Sequence, residues 1–278
     1  MNTLTRFDKN LGHNVKDFSD YGEDATLVLC LAIFLAHEYQ NNLFNTYRLD
    51  VDKFAKKMGF DKDSLKAIHP NPEHQKLYNP ETDIRLFSNK IENALYKMQT
   101  IPIIFKKKAS TIKDGVYTEI SGMLIFKSVR FFADSNRKGQ AKHYYDIELS
   151  NEFEKHLNLF YFHIDLNENK IKQLRKNNLF FLYLHLKNNE NYLTSLKRTD
   201  QSNNIIKSTY KTHFVFDEMC ELIGLTRENT QSYTATKKKY ILKNKIKKLN
   251  EIANTNYTID FVKSNRDNYA YTPKITVN

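Results

Sequence analysis

Seven lysines, at positions 237, 238, 239, 243, 245, 247 and 248, fall in a run with no acid between Glu228 and Glu251. Ammonium groups at that density, without counter-charge, suit contact with a polyanion such as a nucleic-acid backbone. The run is also periodic. Leu242, Ile246, Leu249 and Ala253 recur at i, i+4, i+7 and i+11, one apolar stripe of an α-helix. Turning about 100° per residue from that stripe puts Lys239, Tyr240, Lys243, Asn244 and Lys247 on the opposite face. An ordinary solvated helix face is the plainer alternative, but such faces usually mix signs and this one does not.

Other chemistry finds little support. There is no P-loop and no GxGxxG, which argues against a motor ATPase or a dinucleotide enzyme. Cys30 and Cys220 lie far apart, with no CxxC or HExxH, so no metal site is expected. The His-hydrophobic-His pattern of metal-dependent nickases is absent, the nearest segments being His163-Ile164-Asp165 and His185-Leu186-Lys187. The pairs Glu23-Asp24 and Asp217-Glu218 read as first-turn helix charges rather than catalytic dyads. His185, within the apolar run Leu179–Leu186, reads as a core histidine. The expectation is a protein with no cofactor and no catalytic residue.

The totals agree with a polyanion binder. The chain has 278 residues and a net charge of +11, with 43 Lys+Arg against 32 Asp+Glu. Residues 1–150 hold 22 basic and 19 acidic residues, whereas 151–278 hold 21 and 13, so the second half carries most of the field. Seven Gly and five Pro are few, which favours long helices and plain hairpins. Both cysteines sit in apolar helical patterns and are expected to be reduced core thiols. Met1–Asp24 is polar and Ala25–Ala36 is too short to span a bilayer, so a soluble, cytoplasmic protein is expected.

The elements that must hold the lysines recur in the same order twice. After a polar arm (1–23), a buried helix is predicted over 24–40 with Asp24 as its N-cap, and a short helix over 49–60 closed by Gly59. Residues 61–82, with Pro70, Pro72 and Pro80, read as a loop, and a helix follows over 83–100. Strands are predicted over 101–108, 116–134 and 140–149. In the second half the spacing predicts a helix over 171–187, a polar loop over 188–212, a helix over 214–225 closed by Gly224, the lysine helix, and two strands within 257–277. An offset of 165 residues lays Val51, Phe54, Ala55, Met58, Gly59 and Phe60 on Phe216, Met219, Cys220, Ile223, Gly224 and Leu225. The pattern is that of a helix-turn-helix, and each copy is followed by a periodic helix and a hairpin. That order predicts an α+β fold of two tandem winged-helix domains, 24–150 and 151–278, each with a third, recognition helix and a β-hairpin wing.

Within that frame Thr234, Thr236, Lys237, Lys239, Tyr240, Lys243, Asn244 and Lys247 are the candidate DNA contacts of the second domain. Residues near the helix start reach base edges more readily. Asn244 is suited to pair bidentately with adenine, with an exposed polar filler as the alternative. Lys239, Lys243 and Lys247 suit phosphates. Arg266, in the turn between the last two strands, is a minor-groove or phosphate candidate. In the first domain Arg85, Asn89 and Lys90 fall on the polar side of the 83–100 helix, and Arg137 with Lys138 on a hairpin tip. Lys106-Lys107-Lys108 grip backbone or blunt a strand edge equally well.

Three stretches resemble the replication initiators of iteron-containing theta plasmids. YYDIELSNEFEKHLNLFYFHIDLNENKIKQLRKNNLFFLYLHL (144–186) is similar to that family's inter-domain junction. FVFDEMCELIGL (214–225) looks like its second-domain helix before the turn, and KYILKNKIKKLNEIANTNYTIDFVKS (239–264) like its recognition helix and first wing strand. The first half departs from the pattern in its long 61–82 segment and its less basic third helix. The resemblance implies binding to direct repeats at a plasmid origin, melting of nearby AT-rich DNA, and recruitment of the host helicase alongside host initiator proteins. It further implies monomers that bind repeats and dimers, paired through the first domain, that repress their own gene. A winged-helix transcriptional regulator and a protein-binding module are the other readings of the same elements.

Overall fold

The two segments that align at an offset of 165 residues close with the same backbone turn. In the computed structural model, which describes residues 4–8, 21–39, 46–70, 78–79, 84–85, 89–111, 115–135, 141–159, 161–165, 167–203, 211–225, 231–262 and 272–276, Gly59 and Gly224 both lie in the left-handed region, at φ 67° and 80°. Phe60 N–H donates to the Ala55 carbonyl at 2.8 Å, and Leu225 N–H to the Cys220 carbonyl at 2.9 Å. Gly59 N–H reaches Lys56 O and Gly224 N–H reaches Glu221 O. These are helix-ending turns that glycine forms without steric cost. The preceding helices, Val51–Met58 and Phe216–Glu221, bury matching positions, Val51, Phe54 and Ala55 in one and Phe216, Met219 and Cys220 in the other, and Met58 and Ile223, just before each glycine, are buried alike.

The architecture is mixed helix and small antiparallel sheets, and it divides into two compact units, Met1–Glu168 and Asn169–Asn278. In the first, α1 (Ala25–Tyr39) is buried from Leu27 to Glu38 on every side, as a helix apolar all round must be. Then come β2 (Thr46–Leu49), α2 (Val51–Met58), α3 (Lys62–Lys66), the short pair β3 (Tyr78–Asn79) and β4 (Ile84–Arg85), and α4 (Lys90–Thr100). A two-stranded ribbon of β5 (Ile103–Thr111) and β6 (Gly115–Met123) precedes β7 (Phe126–Ser135) and β8 (Ala141–Leu149), which join β2 in the order β2–β8–β7. α5 (Asn151–Leu159) leads to β9 (Tyr161–Asp165), which pairs antiparallel with β1 (Leu4–Asp8). The second unit contains α6 (Glu168–Lys176), α7 (Phe180–Ser202), β10 (Lys211–His213), α8 (Phe216–Glu221), α9 (Ala235–Ala253), β11 (Thr258–Val262) and β12 (Thr272–Thr276). Its sheet order is β10–β12–β11, so in each unit the strand before the helix-ending turn pairs with the last strand of the hairpin.

Several sequence expectations need correction. The boundary expected at 150/151 falls inside the first unit, because part of the polar arm is β1 and holds β9 there. The 61–82 segment contains α3, capped by the Asp61 carboxylate on Ser64 N–H and pinned by buried Leu65. The helix expected over 83–100 begins only at Lys90, with Asn89 as its cap. The strand expected over 116–134 breaks at 124–125, where Ser150 donates its hydroxyl to Leu124 O and its N–H to Ile125 O. The helix expected over 171–187 is two helices, since Asn178 turns left-handed at φ 53°. The loop expected over 188–212 is largely α7: Leu193 is buried, and Asn189, Asn191, Thr194, Thr199 and Ser202 donate back to carbonyls four residues earlier.

Asp24 is not an N-cap. Residues 21–24 form a 3₁₀ turn ahead of α1, and the Asp24 side chain is buried. It receives Lys97 Nζ at 2.8 Å and Asn93 Nδ2 at 2.6 Å, and it faces His69 Nε2 at 3.1 Å. Lys97 also donates to Tyr21 O. A buried ion pair survives when its remaining hydrogen bonds are met, and removing one partner strands the other charge. Asp24→Ala is therefore expected to cost about 3–5 kcal/mol in urea denaturation, and adding Lys97→Met should recover most of it. Equal destabilisation by the single and double variants would contradict this.

Candidate nucleic-acid interface

The lysine helix is built so that its direction and rotation are fixed. Thr234 caps α9, its hydroxyl accepting from Lys237 N–H at 3.2 Å. Leu242, Ile246, Leu249 and Ala253 are buried, and the helix packs on α8. On its flank Lys245 Nζ donates to Asn177 O at 2.6 Å, just beyond the C-terminus of α6. A cation there meets both an orphan carbonyl and the negative end of the helix dipole.

The far end is clasped by Asn250. Its Nδ2 donates to Tyr257 O at 2.8 Å, while Oδ1 accepts from Tyr257 N–H at 3.0 Å and from Thr255 Oγ1 at 2.9 Å. Asn254 makes the left-handed exit at φ 54°. Tyr257 is buried and donates its hydroxyl to Glu190 on α7; burial first, then that carboxylate, pushes the phenol well above its ordinary range. The helix is thus capped at its start by Thr234, tied on its flank to the α6–α7 elbow, and held at its end through Tyr257 to α7.

What remains outward is basic. Thr234, Thr236, Lys237, Tyr240, Lys243, Asn244, Lys247 and Lys248 are exposed. The Lys237 ammonium lies 3.6 Å from the Tyr233 ring centroid, a cation–π contact. Glu251, the single acid of α9, is 3.2 Å from Lys248. Lys239 differs from expectation. At 100° per residue it sits about 50° from the centre of the apolar stripe rather than opposite it, it is half-buried, and its ammonium lies 5.1 Å over Phe261. Phe261 in turn meets Phe216 edge-on. Seven of the eight expected residues are therefore exposed, while Lys239 is drawn toward β11, where the Lys243 ammonium also lies 5.9 Å from the Phe261 ring.

The first unit offers no equivalent helix among the described residues. α4 is the periodic helix beyond that unit's helix-ending turn, with α3 between them, and its Ile91–Leu95, Lys97 and Met98 are buried. The chain between turn and helix is longer here. Within it Ala67 O accepts Lys90 N–H, Ile68 bridges Asn89, and buried His69 faces Asp24. Asn89 spends its side chain on Glu92 N–H at 2.8 Å, Lys90 is half-buried, and Arg85 lies on β4 rather than on a helix. Lys106, Lys107 and Lys108 lie on β5 opposite Ile120, Glu119 and Thr118. Arg137, Lys138 and Arg266 fall outside the described residues.

Sequence reasoning missed Lys248 as an exposed member of the face, and Lys245 and Asn250 as the residues that orient it. A polar residue directly after the last core leucine was the signal for Asn250; Lys245 had none, since its partner is a backbone carbonyl. Cys30 and Cys220 are buried thiols, not joined in a disulfide, and burial pushes the Cys220 thiol up to about 11. Among the described residues no group of three His, Cys, Asp or Glu is arranged to hold a metal, and no helix is long and apolar enough to cross a membrane.

No protein-family model matches the chain, and no curated protein matches it. Among the solved structures similar to it are two of one protein. A structure of domains 2 and 3 of RctB aligns over 94% of this chain and 81% of that one, with 10% identity and a TM-score of 0.43. A second structure, of RctB residues 155–483, aligns over 97% and 80%, with 8% identity and a TM-score of 0.36. Likeness at that level assigns neither activity nor partners.

The clasp at Asn250 makes a stability prediction. Asn250→Ala leaves Tyr257 N–H and O without their partner and is expected to cost about 1–3 kcal/mol in chemical denaturation. An unchanged midpoint would show that the clasp does not hold the helix end.

Proposed function

We propose that this chain is a replication initiator that binds double-stranded DNA at direct repeats, through α9 as the recognition helix of the second of two winged-helix domains. The observation that carries the DNA-binding part is the exposed face of α9, where Lys237, Lys243, Lys247 and Lys248 stand on a helix capped by Thr234 and anchored at its flank and its far end. The tandem winged-helix reading is supported by the matching turns at Gly59 and Gly224 and by the matching sheet orders β2–β8–β7 and β10–β12–β11. The initiator part rests on the sequence resemblance of 144–186, 214–225 and 239–264. In this reading the protein acts in the cytoplasm, without a cofactor and without catalysis of its own. Melting of nearby AT-rich DNA, a monomer–dimer equilibrium, and contact with the host helicase and initiator proteins are parts of the same proposal. Buried α4 favours a first domain that pairs subunits or grips backbone over one that reads bases.

Fluorescence anisotropy with duplexes tiled from the DNA flanking the gene, with scrambled competitor at two salt concentrations, tests this reading. Tight binding to a directly repeated element is the expected result. Binding confined to an inverted repeat at the promoter would replace the initiator with a regulator, and uniform, steeply salt-dependent binding would remove specificity altogether. Lys243→Ala should weaken every duplex about evenly and lower the salt slope by about 0.9, the value of one phosphate contact. A change in selectivity at unchanged slope would contradict that role.

A further inference from the structure

The exposed face of α9 is not uniformly charged. Thr236, Tyr240 and Asn244 follow one another at i, i+4 and i+8 and form an uncharged ridge along the helix. Lys243 and Lys247 border the ridge on one side, Lys237 and Lys248 on the other. Tyr240, at its middle, is 67% exposed, and both Thr236 and Asn244 are exposed as well. A large ring held in water on the crest of a cationic helix calls for an apolar surface on whatever the lysines grip. In a major groove, which admits an α-helix, that surface is the 5-methyl group of thymine. Tyr240 is the one aromatic of α9 itself, whereas a single strand is held by several rings that stack successive bases.

Building on the duplex-binding reading above, we propose that Tyr240 and Asn244 are the sequence-determining pair of this face. The Tyr240 ring packs on a thymine methyl, and the Asn244 carboxamide pairs with N6 and N7 of an adenine. Four residues of helix advance about 6 Å, which at 3.4 Å per step along a strand is about two base pairs. The lysines on either side hold phosphates and set affinity without sequence information. The target therefore contains a thymine and an adenine about two base pairs apart.

The test starts from duplexes enriched from a random library by the whole 278-residue chain. Each thymine is replaced in turn by deoxyuridine, which removes only the methyl, and each adenine by 7-deazaadenine, which removes N7. Wild-type binding should weaken about fourfold at one uracil position, the worth of one buried methyl. Tyr240→Ala should bind more weakly and ignore that substitution, while Tyr240→Phe should still sense it. Asn244→Ala should ignore 7-deazaadenine at one position about two base pairs away. Thermal melts matching wild type accompany each variant. If Tyr240→Ala and Asn244→Ala sense every substituted position as wild type does, the pair does not read the sequence, although the duplex-binding reading stands. If the library yields no preferred sequence, specific duplex binding fails, and this assignment fails with it.

Discussion

Burial of Leu242, Ile246, Leu249 and Ala253 decides where every lysine of α9 points. Each of the three larger side chains contributes roughly 1.5–3 kcal/mol by leaving water. Like charges at i, i+4, such as Lys243 and Lys247, oppose the helix by only a few tenths of a kcal/mol. The apolar seam therefore wins, and the cationic face is a tolerated consequence of it. Lys245 and Asn250 refine the pose, because hydrogen bonds to Asn177 and Tyr257 stop the helix from rolling or fraying. A charged helix held this firmly leaves only its side-chain rotamers, and not the helix itself, to be ordered on binding, which is the benefit of preorganisation.

The two units share a plan and differ in what it exposes. The turn after α2 and the turn after α8 make the same backbone bonds, and the short strands β2 and β10 begin 165 residues apart and pair in the same way. After the turn they diverge. In the second unit nine residues separate Leu225 from Ala235, and the helix that follows keeps one open face. In the first unit α3 and the bridge at Ile68 intervene, and α4 is enclosed around a buried Asp24–Lys97 pair. Enclosure of that kind specifies a single packing arrangement while giving up the surface.

Much of this was legible in the residues, for reasons that are local. Helical period exposed the seam of α9, and the apolar-Gly-apolar ending marked both turns, because glycine at positive φ is a backbone requirement that sequence displays directly. What escaped was decided by distant or backbone partners. Polar 188–202 reads as loop until Leu193 is seen to be buried and its neighbours to bond back along the helix. Asn177-Asn178 breaks a helix without Gly or Pro, and Asp24 looks like a cap until Lys97, more than seventy residues away, is found against it. Lys239 was assigned to the wrong face because its charge outweighed its angle; Phe261, on another element, shows where it belongs.

The central claim, that the outward face of α9 is covered by duplex DNA, is open to direct chemical measurement. Lysine acetylation rates, read by mass spectrometry with and without a duplex from the flanking DNA, would report each ammonium separately. Lys243 and Lys247 should be protected by the duplex, and exposed Lys155 of the first unit's α5 should change less. Lys245, already held by Asn177, should react slowly in both states. Equal acetylation of Lys243 and Lys247 with and without bound DNA would contradict the account.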